Sequence, residues 1–124
     1  MPHHPGFIIL YVDSPPTSAA FYADLFGIAP AESSPSFAMF ALESGAMLGL
    51  WEKNGVQPAP ERGGDRSELA IAVSDETEVG ALHVEWRNRG LRILQAPVKM
   101  DFGLTFVALD PDGHRLRVFA PGAP

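Results

Sequence analysis

Apolar and polar positions along the chain fall into a layout that occurs twice. Phe7-Ile-Ile-Leu-Tyr-Val12 is a short apolar run followed by Asp13 and Ser14, and Glu68-Leu-Ala-Ile-Ala-Val73 is another, followed by Ser74 and Asp75. Runs of this length predict strands. After the first run, Ser14 stands where a helix N-cap belongs and Pro15 suits the first helical turn. Phe21, Tyr22, Leu25 and Phe26 supply an apolar stripe that Gly27 ends. After the second, Asp75 and Glu78 have capping-box spacing, Val79, Leu82 and Trp86 recur with helical period, and Gly90 stops the segment.

The agreement continues beyond the helices. The first strands align with Phe7 opposite Glu68 and Val12 opposite Val73. Further on, Phe40-Ala-Leu-Glu-Ser-Gly-Ala-Met-Leu-Gly-Leu-Trp51 matches Val107 to Phe119 if the second copy has one extra turn residue. That alignment pairs Gly45 with Gly113, Gly49 with Arg117 and Trp51 with Phe119. Residues 28–34 and 91–96 supply the third element of each copy, so each half reads β-α-β-β-β. The expectation is a single α+β domain over 1–124, with a first βαβββ module at 1–57, a linker at 58–66 and a second module at 67–124. The eight strands are expected to form an open, half-barrel-like eight-stranded sheet with a concave groove, each half carrying its helix on the outer face.

Strand alternation predicts what lines the groove. Phe7, Ile9 and Tyr11 point inward from the first strand, Met47, Gly49 and Trp51 from the fourth, Glu68, Ala70 and Ala72 from the fifth, and Arg115, Arg117 and Phe119 from the last. Hairpin registers add Phe37, Met39, Leu104 and Phe106, four positions that a one-residue slip would reverse. The rings either fill a core or form flat walls suited to a planar guest. Gly49, mid-strand, marks either a bulge or a close approach to the backbone. The segment Pro97-Val-Lys-Met-Asp-Phe-Gly103 is expected to be a loop between the sixth and seventh strands, and its Met100 and Phe102 to serve a lid or a dimer contact.

Composition narrows the chemistry. Nine basic residues against 15 acidic ones, a formal charge of −6, argue against nucleic acid, which needs a clustered basic excess. The chain has no cysteine, which excludes disulfides and thiolate metal sites and suits a reducing cytoplasm. No apolar run approaches the length of a membrane span, and the N-terminal residues lack the pattern of a secretory leader. Of the four histidines, His3 and His4 are terminal, His83 is on a helix, and His114 belongs to a turn or to the helix-facing side of its strand. The serines sit mostly at caps and turns, and Gly63-Gly64 is isolated from any strand-to-helix phosphate loop.

The doubled βαβββ unit, the Val12…Ser18-Ala-Ala-Phe-Tyr22…Gly27 helix entry and the Asp110-Pro-Asp-Gly113 hairpin resemble the vicinal oxygen chelate superfamily. That group holds glyoxalase I, extradiol dioxygenases, fosfomycin-resistance transferases and bleomycin-binding proteins. The resemblance covers essentially the whole chain and implies the fold, while leaving function open between metal enzymes and metal-free binders. It also implies metal-ligand positions at Phe7, Glu68 and Arg117, with Gly49 at the repeat-related place. Of these only Glu68 could hold a metal, because an arginine offers no lone pair and repels a cation. The segments Phe37-Ala-Met-Phe-Ala-Leu, Leu48-Gly-Leu-Trp51, Met100-Asp-Phe-Gly103 and Asp110 to Phe119 further resemble the phenazine-antibiotic-resistance branch. This resemblance implies a homodimer that sequesters a planar drug without chemistry.

The sequence thus leads to a metal-independent binding protein for a planar aromatic small molecule, with no cofactor and no catalytic residue. Its expected ligand-binding residues are Phe7, Tyr11, Phe37, Met39, Gly49, Trp51, Glu68, Met100, Phe102, Phe106, Arg117 and Phe119. Glu68 and Arg117 either contact the ligand or pair with each other. The alternatives are a metal-dependent glyoxalase- or dioxygenase-type enzyme with an atypical ligand set around Glu68, and a regulatory domain whose groove is closed by side chains.

Overall fold

The computed structural model describes residues 6–57, 59–60 and 67–122, which fall into two compact units, Met1–Arg62 and Gly63–Pro124. His3, His4 and most of the linker expected at 58–66 lie outside the described residues.

In the first unit, β1 (Phe7–Val12) leads into α1 (Pro15–Phe26), followed by β2 (Glu32–Ser33), β3 (Phe37–Ala41) and β4 (Met47–Glu52). The helix starts where its chemistry permits. Ser14 is extended and its hydroxyl accepts from the Thr17 amide at 3.3 Å, while the proline at the first helical position has no N–H to leave unpaired. Gly27 ends α1 in the left-handed region at φ 69°, its N–H donating to the Ala23 carbonyl. The sheet order is β1-β4-β3-β2, with β1 parallel to β4 and the other pairs antiparallel. Leu10, Val12, Ala38, Phe40, Leu48 and Leu50 are buried, as are Ser18, Ala19 and Tyr22 of α1. The opposite face carries Phe7, Ile9, Tyr11, Phe37, Met39, Met47, Gly49 and Trp51, brought side by side by the register Phe7 with Met47, Ile9 with Gly49 and Tyr11 with Trp51.

The second unit repeats the plan with β5 (Glu68–Ala72), α2 (Glu76–Asn88), β6 (Arg92–Met100), β7 (Gly103–Leu109) and β8 (Arg115–Pro121), in the order β5-β8-β7-β6. Asp75 caps α2 by accepting from the Glu78 amide at 2.9 Å, and the Glu78 carboxylate reaches back to the Ser74 amide at 3.1 Å. The core beneath α2 is Val79, Trp86, Phe106, Ala108, Leu116 and Val118.

Three expectations change here. The two β-hairpins have equal turns: Leu42 and Asp110 each donate to the carbonyl four residues on, Ala46 and His114, and Gly45 and Gly113 each donate back to the first residue's carbonyl. No extra turn residue exists, so β3 and β7 align with Phe37 opposite Thr105, Met39 opposite Val107 and Ala38 opposite Phe106. Phe106 and Leu104 therefore belong to the helix-facing side rather than to the groove face. Phe106 is fully buried, with the rings of Trp86 and His83 each 5.4 Å away. Finally, Pro97 to Met100 are strand, not loop. β6 runs to Met100, and only Asp101 and Phe102 form the turn into β7. Pro97 is tolerated because β6 is an edge strand and its pairing with β7 is interrupted by register shifts between Ile93 and Val98.

Candidate functional site

Each unit has a sheet face turned away from its own helix, and all the sequence-predicted site residues but Phe106 lie on or beside these two faces. On the first, the side chains are large and accessible: Phe7, Ile9 and Tyr11 are 43–45% exposed. Isolated exposed apolar residues are ordinary, but three at alternate positions of one strand, beside Trp51 and Phe37, make a continuous apolar surface. Tyr11 and Trp51 meet edge to face with ring centroids 6.4 Å apart. Gly49 lies at the centre. A Cβ there would come within 2.8 Å of Phe7 Cε1 and 3.0 Å of Phe37 Cζ, so the two phenyl rings lie over the bare backbone. Of the two readings of this glycine, close approach is the one that holds, and the approaching groups are the protein's own rings. Met39, directly opposite Gly49 on β3, borders them.

On the second face, Glu68, Ala70 and Ala72 of β5 run alongside Arg115, Arg117 and Phe119 of β8. Arg117 and Glu68 pair with each other. Arg117 Nε lies 2.5 Å from Glu68 Oε2 and its Nη2 3.5 Å from Oε1, while Nη1 donates to Thr105 Oγ1 at 3.2 Å. Thr105, fully buried, donates its own hydroxyl hydrogen bond to the Val118 carbonyl at 2.8 Å. The guanidinium is thus held from two sides, and its carbon also stands 5.7 Å from the centroid of the Phe102 ring, a cation–π distance. Phe102 in turn meets Phe119 edge to face at 5.8 Å. Beside this cluster, Leu94, Gln95, Met100, Val107, Arg115 and Arg117 line an open depression of about 390 Å³.

Most of the predicted set therefore falls on two faces: Phe7, Tyr11, Phe37, Met39, Gly49 and Trp51 on one, and Glu68, Met100, Phe102, Arg117 and Phe119 on or beside the other. Phe106 is on neither. Sequence reasoning missed Thr105 and Val107, which face Phe119 and Arg117 across the β7–β8 pair, and Leu94 and Gln95 of the depression. The signal for the first two was present in the matched glycines Gly45 and Gly113, since carrying their spacing back along the strand puts Thr105 where Phe37 stands. Nothing comparable marks Leu94 and Gln95, because the register shifts of β6 break strict alternation.

The donor set does not fit the metal centre that the fold implies. Phe7 and Gly49 offer no side-chain donor, and the Glu68 carboxylate is engaged by Arg117. Among the described residues no three of His, Cys, Asp and Glu come together. His114 is engaged elsewhere: its Nδ1 lies 2.8 Å from the buried Asp110 carboxylate in the β7–β8 turn, and this hydrogen bond raises its pKa above the ordinary 6.5. What these faces offer is stacking area, a flat apolar surface and a neutralised ion pair.

Comparison with known proteins agrees with this architecture. A chain from Agrobacterium tumefaciens, solved by solution NMR, is 47% identical, covers 98% of this chain and 99% of its own, and superposes with a TM-score of 0.89. A glyoxalase-related enzyme from Fulvimarina pelagi is 27% identical over 94% of this chain and 87% of its own, with a TM-score of 0.80. The phenazine antibiotic resistance protein EhpR of Enterobacter agglomerans is 29% identical over 117 residues, 92% of this chain and 89% of that protein. Residues 3–118 match the family model described as Glyoxalase/Bleomycin resistance protein/Dioxygenase superfamily. The chain belongs to that superfamily.

Proposed function

We propose that this protein binds a planar aromatic compound of the phenazine type and confers resistance by sequestering it, as a cytoplasmic homodimer and without a metal. The observation that carries the reading is the accessible aromatic face of the first unit, where Phe7, Tyr11, Phe37 and Trp51 surround Gly49. Offset or edge-on ring contacts are worth about 0.5–1.5 kcal/mol each beyond the area they bury, so several rings favour an extended flat guest. Phe102 and Phe119 supply a second aromatic surface, and the 29% identity to a phenazine resistance protein points to the same ligand class. On this reading Arg117 and Glu68 border the second aromatic surface as an ion pair. A metal-requiring reaction finds little support in a donor set whose carboxylate is already paired.

Tryptophan fluorescence tests the proposal. Trp51 is on the aromatic face, whereas Trp86 is buried beside Phe106. Phenazine should quench wild-type emission saturably, and the saturable component should vanish in Trp51→Phe. Quenching that persists unchanged in that variant, or none up to the solubility limit of phenazine, would refute it. In parallel, Mn²⁺, Ni²⁺ and Zn²⁺ should leave the melting temperature unchanged. A saturable rise abolished by Glu68→Gln would establish the metal-dependent alternative instead.

A further inference from the structure

A second depression, of about 500 Å³, lies within the first unit at the far end of α1, lined by Phe26, Ile28, Ala41, Leu42 and Glu43. We propose that it is a binding site for an organic ammonium ion with a compact apolar body, separate from the sheet face.

Its size is within the range of small-molecule sites. Four of its five lining residues are apolar: Phe26, its ring 5.4 Å from that of Tyr22, the 38% exposed Ile28, Ala41 and Leu42. The β3–β4 turn that carries Leu42 and Glu43 is closed by two backbone hydrogen bonds, Leu42 N–H donating to the Ala46 carbonyl at 2.9 Å and Gly45 N–H to the Leu42 carbonyl at 3.0 Å. The charge in the depression is negative. Glu43 contributes a carboxylate that no ion pair or side-chain hydrogen bond engages among the described residues, and α1 ends here with no basic residue in its last turn. A helix C-terminus carries partial negative charge and favours a cation. Among the described residues of the unit no cation is paired with Glu43. Lys53 is the one basic residue of 6–57, against Asp13, Asp24, Glu32, Glu43 and Glu52, and it pairs with Asp13 at 2.5 Å.

Apolar walls with a single carboxylate select against a bare metal ion, which needs several oxygen donors. They suit an ammonium whose charge faces Glu43 and whose body covers Phe26, Ile28 and Leu42, with the Phe26 ring adding a cation–π contact.

Benzylammonium, with benzyl alcohol as its uncharged counterpart, separates these contributions. Titration followed by amide chemical shifts should give saturable changes at residues 26–28 and 41–43. Benzyl alcohol should bind several-fold more weakly, and Glu43→Gln should weaken benzylammonium about fivefold, as expected for one partly solvated charge pair. Ile28→Ala should weaken both ligands, and neither variant should alter phenazine quenching of Trp51. Absence of saturable shifts, equal binding of the two ligands, or indifference to Glu43→Gln would overturn the proposal.

Discussion

Arg117 shows how a residue's role is set by its neighbours rather than by its type. An arginine on a groove-facing strand position can hold a ligand carboxylate, yet here its fork is already taken by Glu68 on one side and Thr105 on the other. The pair is mostly shielded, with side chains 18% and 33% exposed, so breaking it leaves a partly desolvated charge. Removing either partner, in Arg117→Met or Glu68→Gln, should destabilise by about 1–3 kcal/mol, whereas the double variant should lose clearly less than the sum. Urea denaturation of the four proteins of this cycle provides the measurement, and strict additivity would mean the pair contributes nothing. Gly49 teaches the same lesson in the opposite direction. Its missing side chain makes room for Phe7 and Phe37, so what the glycine contributes to the aromatic face is the space its neighbours occupy.

Among the elements, the β7–β8 turn is the one with a titratable fastening. Asp110 is buried and accepts from the Asp112 and His114 amides, at 2.9 and 2.8 Å, as well as from the His114 ring. The ring hydrogen bond and the charges of Asp110 and Asp112 raise the His114 pKa, outweighing the burial that lowers it. A group whose pKa is raised on folding adds stability that is complete below its unfolded value near 6.5 and disappears as pH rises through the folded value. Melting temperature should therefore fall from mildly acidic to alkaline pH by a component that His114→Gln abolishes. If the two proteins have parallel pH profiles, the fastening carries no linkage. The amide bonds to Asp110 persist in that variant, so the turn itself should survive. The equivalent turn of the first unit, Leu42 to Ala46, has the same backbone bonds and no histidine, and it should show no such dependence.

At the scale of the whole molecule, acidic and basic groups are unevenly divided. Eight of the nine basic residues follow Lys53 in sequence, while the first unit's exposed sheet face is almost purely apolar. An accessible apolar surface of that kind is normally covered by a ligand or another chain. Light scattering at micromolar concentration should return twice the mass of one chain, and phenazine should raise the melting temperature of that species. At about a hundredfold excess over the dissociation constant the stabilisation is about 2.7 kcal/mol. A monomer whose melting temperature phenazine does not move would contradict both parts. No helix among the described residues is long and apolar enough to cross a membrane.

The sequence by itself determined the doubled βαβββ order, both helix starts and stops, and the faces of β1, β4, β5 and β8. Those features rest on local causes: caps, glycines and the two-residue period of a strand. It also identified the superfamily, through motifs spread over the whole chain. The faces of β3 and β7 were only half legible. One misplaced turn residue in the repeat alignment leaves Phe37 and Met39 correct and reverses Phe106, because a slip of one position moves every side chain to the other side of a sheet. What tertiary structure alone decided was partnership. The junction of Glu68, Arg117 and Thr105 joins residues far apart in sequence, and whether an arginine meets a ligand or a carboxylate depends on which strand lies beside it.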